Sequence, residues 1–198
     1  MCGICGKYIY SENGRIEREI IKNMMDVLVH RGPDDEGMYI HRNIGLGHRR
    51  LSILDLSSLG HQPMCNEDKS VWVIFNGEIY NFKDQRSELM NLGHKFISQC
   101  DTEVIVHAYE EYGVDCVKHF NGMFAFAIWD TKNKRLLLAR DRVGIKPLYY
   151  HENSGAVIWA SEIKAILQDP SVPREIDTQA LSNFLTLHYV PAPRTMYK

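Results

Sequence analysis

At 198 residues the chain is long enough for one substantial domain, or for one domain and the start of a second, and needs no disulfide staples to hold a core. Its 23 lysines and arginines are interspersed with 25 aspartates and glutamates, which excludes a basic stripe for nucleic acid and a polybasic tail for a membrane. The longest strongly apolar run, residues 123–129, falls far short of the roughly 18 to 20 residues of a membrane-spanning helix. Residues 1–10 lack the basic flank and apolar stretch of a signal peptide, so a cytoplasmic location and a small-molecule or protein partner are expected.

Five irregularly spaced cysteines argue against a disulfide framework. Cys2 and Cys5 have the Cys-x-x-Cys spacing of a redox dithiol or half a zinc site. A zinc site needs a second close pair, which Cys65, Cys100 and Cys116 do not form, and a redox pair should follow a strand and open a helix. Neither use is expected, and no metal ligands are assigned.

In chain order, Ile16, Ile20, Met24, Val27 and Leu28 recur at helical spacing and predict an amphipathic helix over 15–29. His30-Arg-Gly-Pro-Asp-Asp-Glu-Gly37 breaks that pattern as a loop, before a short strand over 38–40. Further strands are expected over 44–53 and 71–75, and helices over 82–92 and 101–112, the second capped by Asp101 or Thr102. Strands then follow over 122–130, 135–139, 148–151 and 156–160, read as an antiparallel meander. The continuous apolar stretch 124–129 implies a strand buried on both faces, so both sheet faces need covering layers and the class is α+β. A short helix is expected over 161–167. Residues 168–177 form a linker, after which Asp177 caps a helix through Ala180, Leu181, Phe184 and Leu185. The expected division is a domain over 1–167, then a linker and the start of a further domain over 168–198.

Chemistry starts from Met1-Cys2. Methionine is commonly trimmed before a small second residue, leaving Cys2 with a thiol and a free α-amine, whose ordinary pKa values of about 8.5 and 7.7 to 8.0 make proton transfer between them nearly balanced. One residue then serves as nucleophile and base; the bland alternative is an unordered chain terminus. Asn76-Gly77-Glu78, directly after the strand over 71–75, reads either as a hairpin turn or as an oxyanion hole built from an amide side chain and a backbone N–H. An amino-acid substrate needs a cation for its carboxylate and an anion for its ammonium. Arg50 can supply the first, and Glu78 and Asp101 the second; a surface Arg49-Arg50 pair and a helix-capping Asp101 are the plain readings.

Seven ordered blocks carry a resemblance over nearly the whole chain. They are Met1-Cys-Gly-Ile4, His30 to Gly37, Gly47-His-Arg-Arg-Leu-Ser-Ile53, Phe75-Asn-Gly-Glu-Ile-Tyr80, Asp101-Thr-Glu103, Asn121-Gly-Met-Phe-Ala-Phe126, and Ala139-Arg-Asp-Arg142 with Gly144-Ile-Lys-Pro-Leu-Tyr149. Together they resemble the glutamine amidotransferase half of glutamine-dependent asparagine synthetases. The resemblance implies an N-terminal-nucleophile (Ntn) hydrolase fold, a four-layer αββα sandwich with mainly antiparallel sheets. It implies Cys2 as the thioester-forming nucleophile, Asn76 and Gly77 as the oxyanion hole, and Arg50, Glu78 and Asp101 as ligands of L-glutamine. It further implies ammonia transfer to a C-terminal synthetase domain that uses ATP and Mg to amidate aspartate. No glycine-rich phosphate loop stands in these 198 residues, so this chain is expected to carry the ammonia-producing half, without a cofactor. The His30–Gly37 and 139–149 blocks are read as structural turns and buried ion pairs. Another ammonia acceptor, such as a sugar phosphate or phosphoribosyl group, and an inactive binding module of the same fold stay open, as does a homodimer.

Overall fold

The computed structural model describes residues 1–53 and 55–198. Two antiparallel sheets lie face to face between helical layers. The first has the order β2(Asp35–His41), β3(Ile44–Arg50), β1(Gly3–Ile9), β9(Ala156–Ala160), β8(Tyr149–Glu152). The second has the order β4(Met64–Cys65), β5(Val71–Ile79), β6(Gly122–Asp130), β7(Arg135–Arg140). Helices α1(Arg18–Asp26) and α4(Ile163–Ile166) cover the first sheet; α2(Phe82–Asn91) and α3(Asp101–Tyr112) cover the second.

The alternation of side chains along a strand builds these layers directly. In β6, Phe124, Phe126 and Ile128 point into the core shared with α3, while Ala125, Ala127 and Trp129 point into the layer between the sheets. Ala125 and Ala127 let the sheets approach where they stand, and the large residues on the other face fill the space under the helices. In β1 the same period sends Ile4 between the sheets and Cys5 toward α1. Trp159 of β9 is wholly buried in the inter-sheet layer, and Gly6 permits it: a Cβ there would lie 2.2 Å from the Trp159 ring.

The expected α+β class and its covered sheets are present, with local corrections. The predicted meander is divided between the sheets. β6 and β7 pair in one, then the chain crosses over so that β8 and β9 pair in the other, because each hairpin buries its apolar face against a different helical layer. The first helix is shorter than 15–29 and buries Ile21 with Met24 and Met25, leaving Ile20 half-buried. Asp35, Glu36 and Gly37 belong to β2 rather than to a loop, and β1 and β4 add to the expected strands. Asp177 does cap α5(Thr178–Leu187), accepting from the Gln179 and Ala180 N–H groups at 2.9 and 3.1 Å. Only Ala180 of that helix is buried.

Trp159→Ala should cost about 3–5 kcal/mol by opening a cavity between the sheets, read as a lowered midpoint in chemical denaturation with the slope unchanged.

Candidate active site

Cys2 stands at the end of β1, the sequence-adjacent Gly3 being paired with Arg49 of β3. Its Sγ accepts from the Leu51 N–H at 3.4 Å, just past the end of β3. The Cys2 carbonyl accepts from Arg31 Nε at 3.0 Å, and Arg31 in turn bonds Glu162 at 2.8 Å. The chain terminus is therefore tied down, contrary to the usual behaviour of termini. Burial pushes the Cys2 thiol above its ordinary value. Burial also lowers the α-amine of Met1, and the charges of Arg31 and Lys146 act in the same direction.

Asn76 and Gly77 form no turn. Both lie inside β5, opposite Ala125 and Phe124 of β6. Tyr80 N donates to Asn121 O at 2.7 Å, so by antiparallel alternation the even-numbered residues of β5 exchange bonds with β6 and the odd-numbered N–H groups point to the opposite edge. β4 covers that edge only at Trp72 and Val73. Beyond it, the Phe75 N–H is taken by Gln62 Oε1 at 2.7 Å and the Ile79 N–H by Asp101 Oδ2 at 2.9 Å. The Gly77 N–H lies between them on the same edge. A Cβ on Gly77 would meet the Met123 carbonyl oxygen at 2.3 Å, so the β5–β6 approach requires glycine here. The Asn76 side chain faces the inter-sheet side; its Nδ2 is buried and has no hydrogen-bond partner among the described residues. An orphaned buried donor is costly, and one kept beside a thiol is a group awaiting an acceptor.

A cavity of about 90 Å³ joins these parts; its wall includes Cys2, Arg50, Asn76, Gly77, Glu78 and Asp101. All six candidate residues are thus brought together from β1, β3, β5 and α3. Arg50 is no surface cation: it is 6% exposed and its guanidinium bonds the Ser57 carbonyl at 3.1 Å and the Asp55 carbonyl. Asp101 is not the expected cap. It is the first residue of α3, Cys100 holds the capping position without a side-chain bond, and the Asp101 carboxylate reaches across to β5. Burial, with the charge of Glu78 adding, raises the Asp101 carboxyl to about 6.

Three further residues, which residue type and spacing do not mark, contribute to the site. Gln62 organises the β5 edge from an otherwise featureless segment. Arg31, in the His30–Gly37 block, anchors the nucleophile's backbone. Lys146, in the 139–149 block read as wholly structural, is buried and lines the cavity. Its backbone is fixed from two sides: Lys146 N donates to Asp141 Oδ2 at 2.9 Å and its carbonyl accepts from Arg140 Nε at 2.7 Å. Arg140 and Asp141 build the expected turn through bonds to backbone carbonyls and N–H groups rather than through the expected buried ion pair, and what they hold in place is a cation at the site. Cys5 is buried on the opposite face of β1, and all five cysteines are free. A larger cavity of about 1000 Å³ lies between β7, β8 and residues 190–195; it contains no thiol, and its one carboxylate, Glu152, accepts the Tyr10 hydroxyl.

The sequence profile of the glutamine amidotransferase domain matches residues 1–198. Asparagine synthetase [glutamine-hydrolyzing] 3 of Bacillus subtilis is 41% identical over 98% of this chain, which spans 32% of that protein. Putative asparagine synthetase [glutamine-hydrolyzing] 2 of Methanocaldococcus jannaschii is 40% identical over 100% of the chain and 41% of its own length. In both the chain matches the N-terminal part. Among solved structures, glutamine phosphoribosylpyrophosphate amidotransferase from Bacillus subtilis, complexed with ADP and GMP, superposes with a TM-score of 0.72 at 20% identity, over 89% of this chain and 45% of that one. That likeness shows the fold, an Ntn-hydrolase sandwich.

The Asp101 carboxyl should titrate near pH 6 by carbon NMR, and Glu78→Gln should lower that value by removing the neighbouring charge. The sign for stability follows. Because the folded value lies above the ordinary 3.8, Asp101 favours the folded state at low pH and loses that contribution as pH rises from about 3.8 through about 6.

Proposed function

The chain belongs to the glutamine amidotransferase domain family, and on that premise we propose that it hydrolyses the side-chain amide of L-glutamine, with Cys2 as nucleophile after removal of Met1. The observation that carries the reading is the pair of donors, the orphaned Asn76 Nδ2 and the edge-facing Gly77 N–H, in one cavity with the Cys2 thiol. Trimming Met1 moves the α-amine onto Cys2 and removes one wall of the cavity. Arg31 and Lys146 stay beside it and favour its neutral, proton-accepting form.

In the proposed reaction the amine accepts the thiol proton as Sγ attacks the amide carbon. The carbonyl oxygen becomes an oxyanion between Asn76 Nδ2 and Gly77 N–H. The tetrahedral species collapses with transfer of the proton to the leaving nitrogen, releasing ammonia and leaving a glutamyl thioester. Water, deprotonated by the same amine, then attacks the thioester; glutamate leaves and the thiol is regenerated. Arg50 attracts the substrate carboxylate, and Glu78 with Asp101 the ammonium. The cavity does not fit a nucleoside triphosphate, since it is small and its wall carries two carboxylates, and none of the steps proposed here uses ATP.

The ammonia acceptor is proposed to be activated aspartate, in a synthetase part that uses ATP and Mg and follows residues 168–198, which lead out of the glutaminase domain of residues 1–167. The names and the 40–41% identity of the relatives support this reading. A cytoplasmic setting is proposed with it; among the described residues no helix is long and apolar enough to cross a membrane.

Met1-trimmed protein should release ammonia from glutamine and form a glutamyl adduct; an ordered, trimmed sample with no turnover would refute the reading. Cys2→Ala should abolish turnover. Asn76→Ala should lower kcat by about 100- to 1,000-fold with little change in KM, since the donor acts mainly on the oxyanion. A fixed N-terminal extension should block turnover by converting the amine to an amide. For kcat/KM, activity should fall as pH drops below about 6, where Asp101 takes up a proton, and Asp101→Asn should raise KM for glutamine and remove that limb.

A further inference from the structure

Away from the cavity, the outer end of α3 and the segment entering it gather a second group of polar side chains. His107 and Glu110 stand three residues apart on one face of α3. Gly93, with φ of +103° after α2, turns the chain so that His94 comes back against that face. The two imidazole rings lie 5.0 Å apart, and Phe96 packs edge-on against His107 at 4.6 Å. One donor atom from each of His94, His107 and Glu110 lies within 4.8 Å of the other two.

Their orientations agree. His107 Nδ1 is 2.8 Å and His94 Nδ1 3.7 Å from the same Glu110 Oε2, so both rings present the same nitrogen to one carboxylate oxygen. Behind them stands an outer ring of partners. His94 Nε2 faces Glu111 Oε2 at 3.3 Å, His107 Nε2 faces Glu103 Oε1 at 3.9 Å, and Glu110 Oε1 accepts from Asn66 Nδ2 at 2.7 Å. Glu103 is itself immobilised by the Ile97 and Ser98 N–H groups at 2.7 and 2.8 Å. An inward nitrogen with a carboxylate on the outward one is the arrangement that orients histidine toward a metal and raises its basicity.

We propose that His94, His107 and Glu110 form a binding site for a divalent transition-metal ion of the zinc class, which clamps the segment leading into α3 onto that helix. Two imidazoles and one carboxylate suit zinc or cobalt(II) rather than the all-oxygen shells of calcium and magnesium. Donors held at about 2.0–2.1 Å by a tetrahedral ion sit roughly 3.3–3.4 Å apart, so the observed spacing needs only side-chain adjustment, with water in the fourth position. The ion replaces the proton that His107 Nδ1 now shares with Glu110, and that proton is released. Because α3 begins at Asp101, the clamp would fix the helix that carries a carboxylate of the candidate active site.

The test is a titration of untagged, chelator-stripped full chain with Zn2+ by calorimetry and with Co2+ by visible absorption. One equivalent should bind, with tetrahedral cobalt bands and a raised melting temperature. His94→Gln, at a partly exposed position, and Glu110→Gln should each weaken binding at least 10-fold. Cys2→Ala should leave it unchanged. The proposal is overturned if the wild-type chain binds no ion, if either glutamine variant folds and binds as tightly as wild type, or if binding disappears with Cys2. Failure of glutamine hydrolysis would not bear on it.

Discussion

The edge of β5 is the constraint around which the candidate site is organised. A strand's buried N–H groups must find acceptors, and β4 ends after covering two residues of this edge. The donors beyond it are answered one at a time from other parts of the chain, Phe75 by Gln62 and Ile79 by Asp101, with Gly77 between them. Gln62 is held in its turn on Thr102 at 3.2 Å, so the segment before β4 and the start of α3 are locked to the same edge. What in most sheets is a liability to be covered becomes here a row of directed donors.

The same strand divides its labour by period. Even-numbered Asn76 and Glu78 face the inter-sheet side toward Cys2, while odd-numbered Phe75 and Ile79 anchor the core under α3. One strand therefore carries polar chemistry on one face without loosening the packing on the other. The floor opposite is the end of β1, where Arg31 and the Leu51 N–H position a residue that would otherwise be a frayed terminus.

The charged groups of the cavity are held by separate parts of the chain. Arg50 is tethered to the carbonyls of Asp55 and Ser57, Lys146 is delivered by a loop built on Arg140 and Asp141, and Glu78 stands near an Asp101 whose carboxyl burial has raised to about 6. Holding like charges close and a donor unmet costs stability, and such cost is expected where a ligand completes the arrangement. The anchoring ion cluster behaves oppositely: although burial opposes its charge, Arg31, His30 and Lys164 bring the Glu162 carboxyl down to about 2.

Local pattern and motif chemistry were legible in the sequence. The strand over 122–130, the helix over 101–112 and the strand over 156–160 stand where periodicity places them, because a run of alternating or helically spaced apolar residues has only one way to bury itself. Cys2, Arg50, Asn76, Gly77, Glu78 and Asp101 were named from residue type and block order, and the fold brings them to one cavity. Tertiary structure decided the rest. Asn-Gly reads locally as a turn, and only pairing with β6 holds it extended; Asp101 reads as a cap, and only the uncovered edge of β5 draws it away. The division of the four late strands between two sheets, the entry of Arg31, Gln62 and Lys146 into the site, and the meeting of His94 with His107 all depend on contacts between distant segments. Such contacts leave no period in the chain, since they are set by which faces the packed layers bring together.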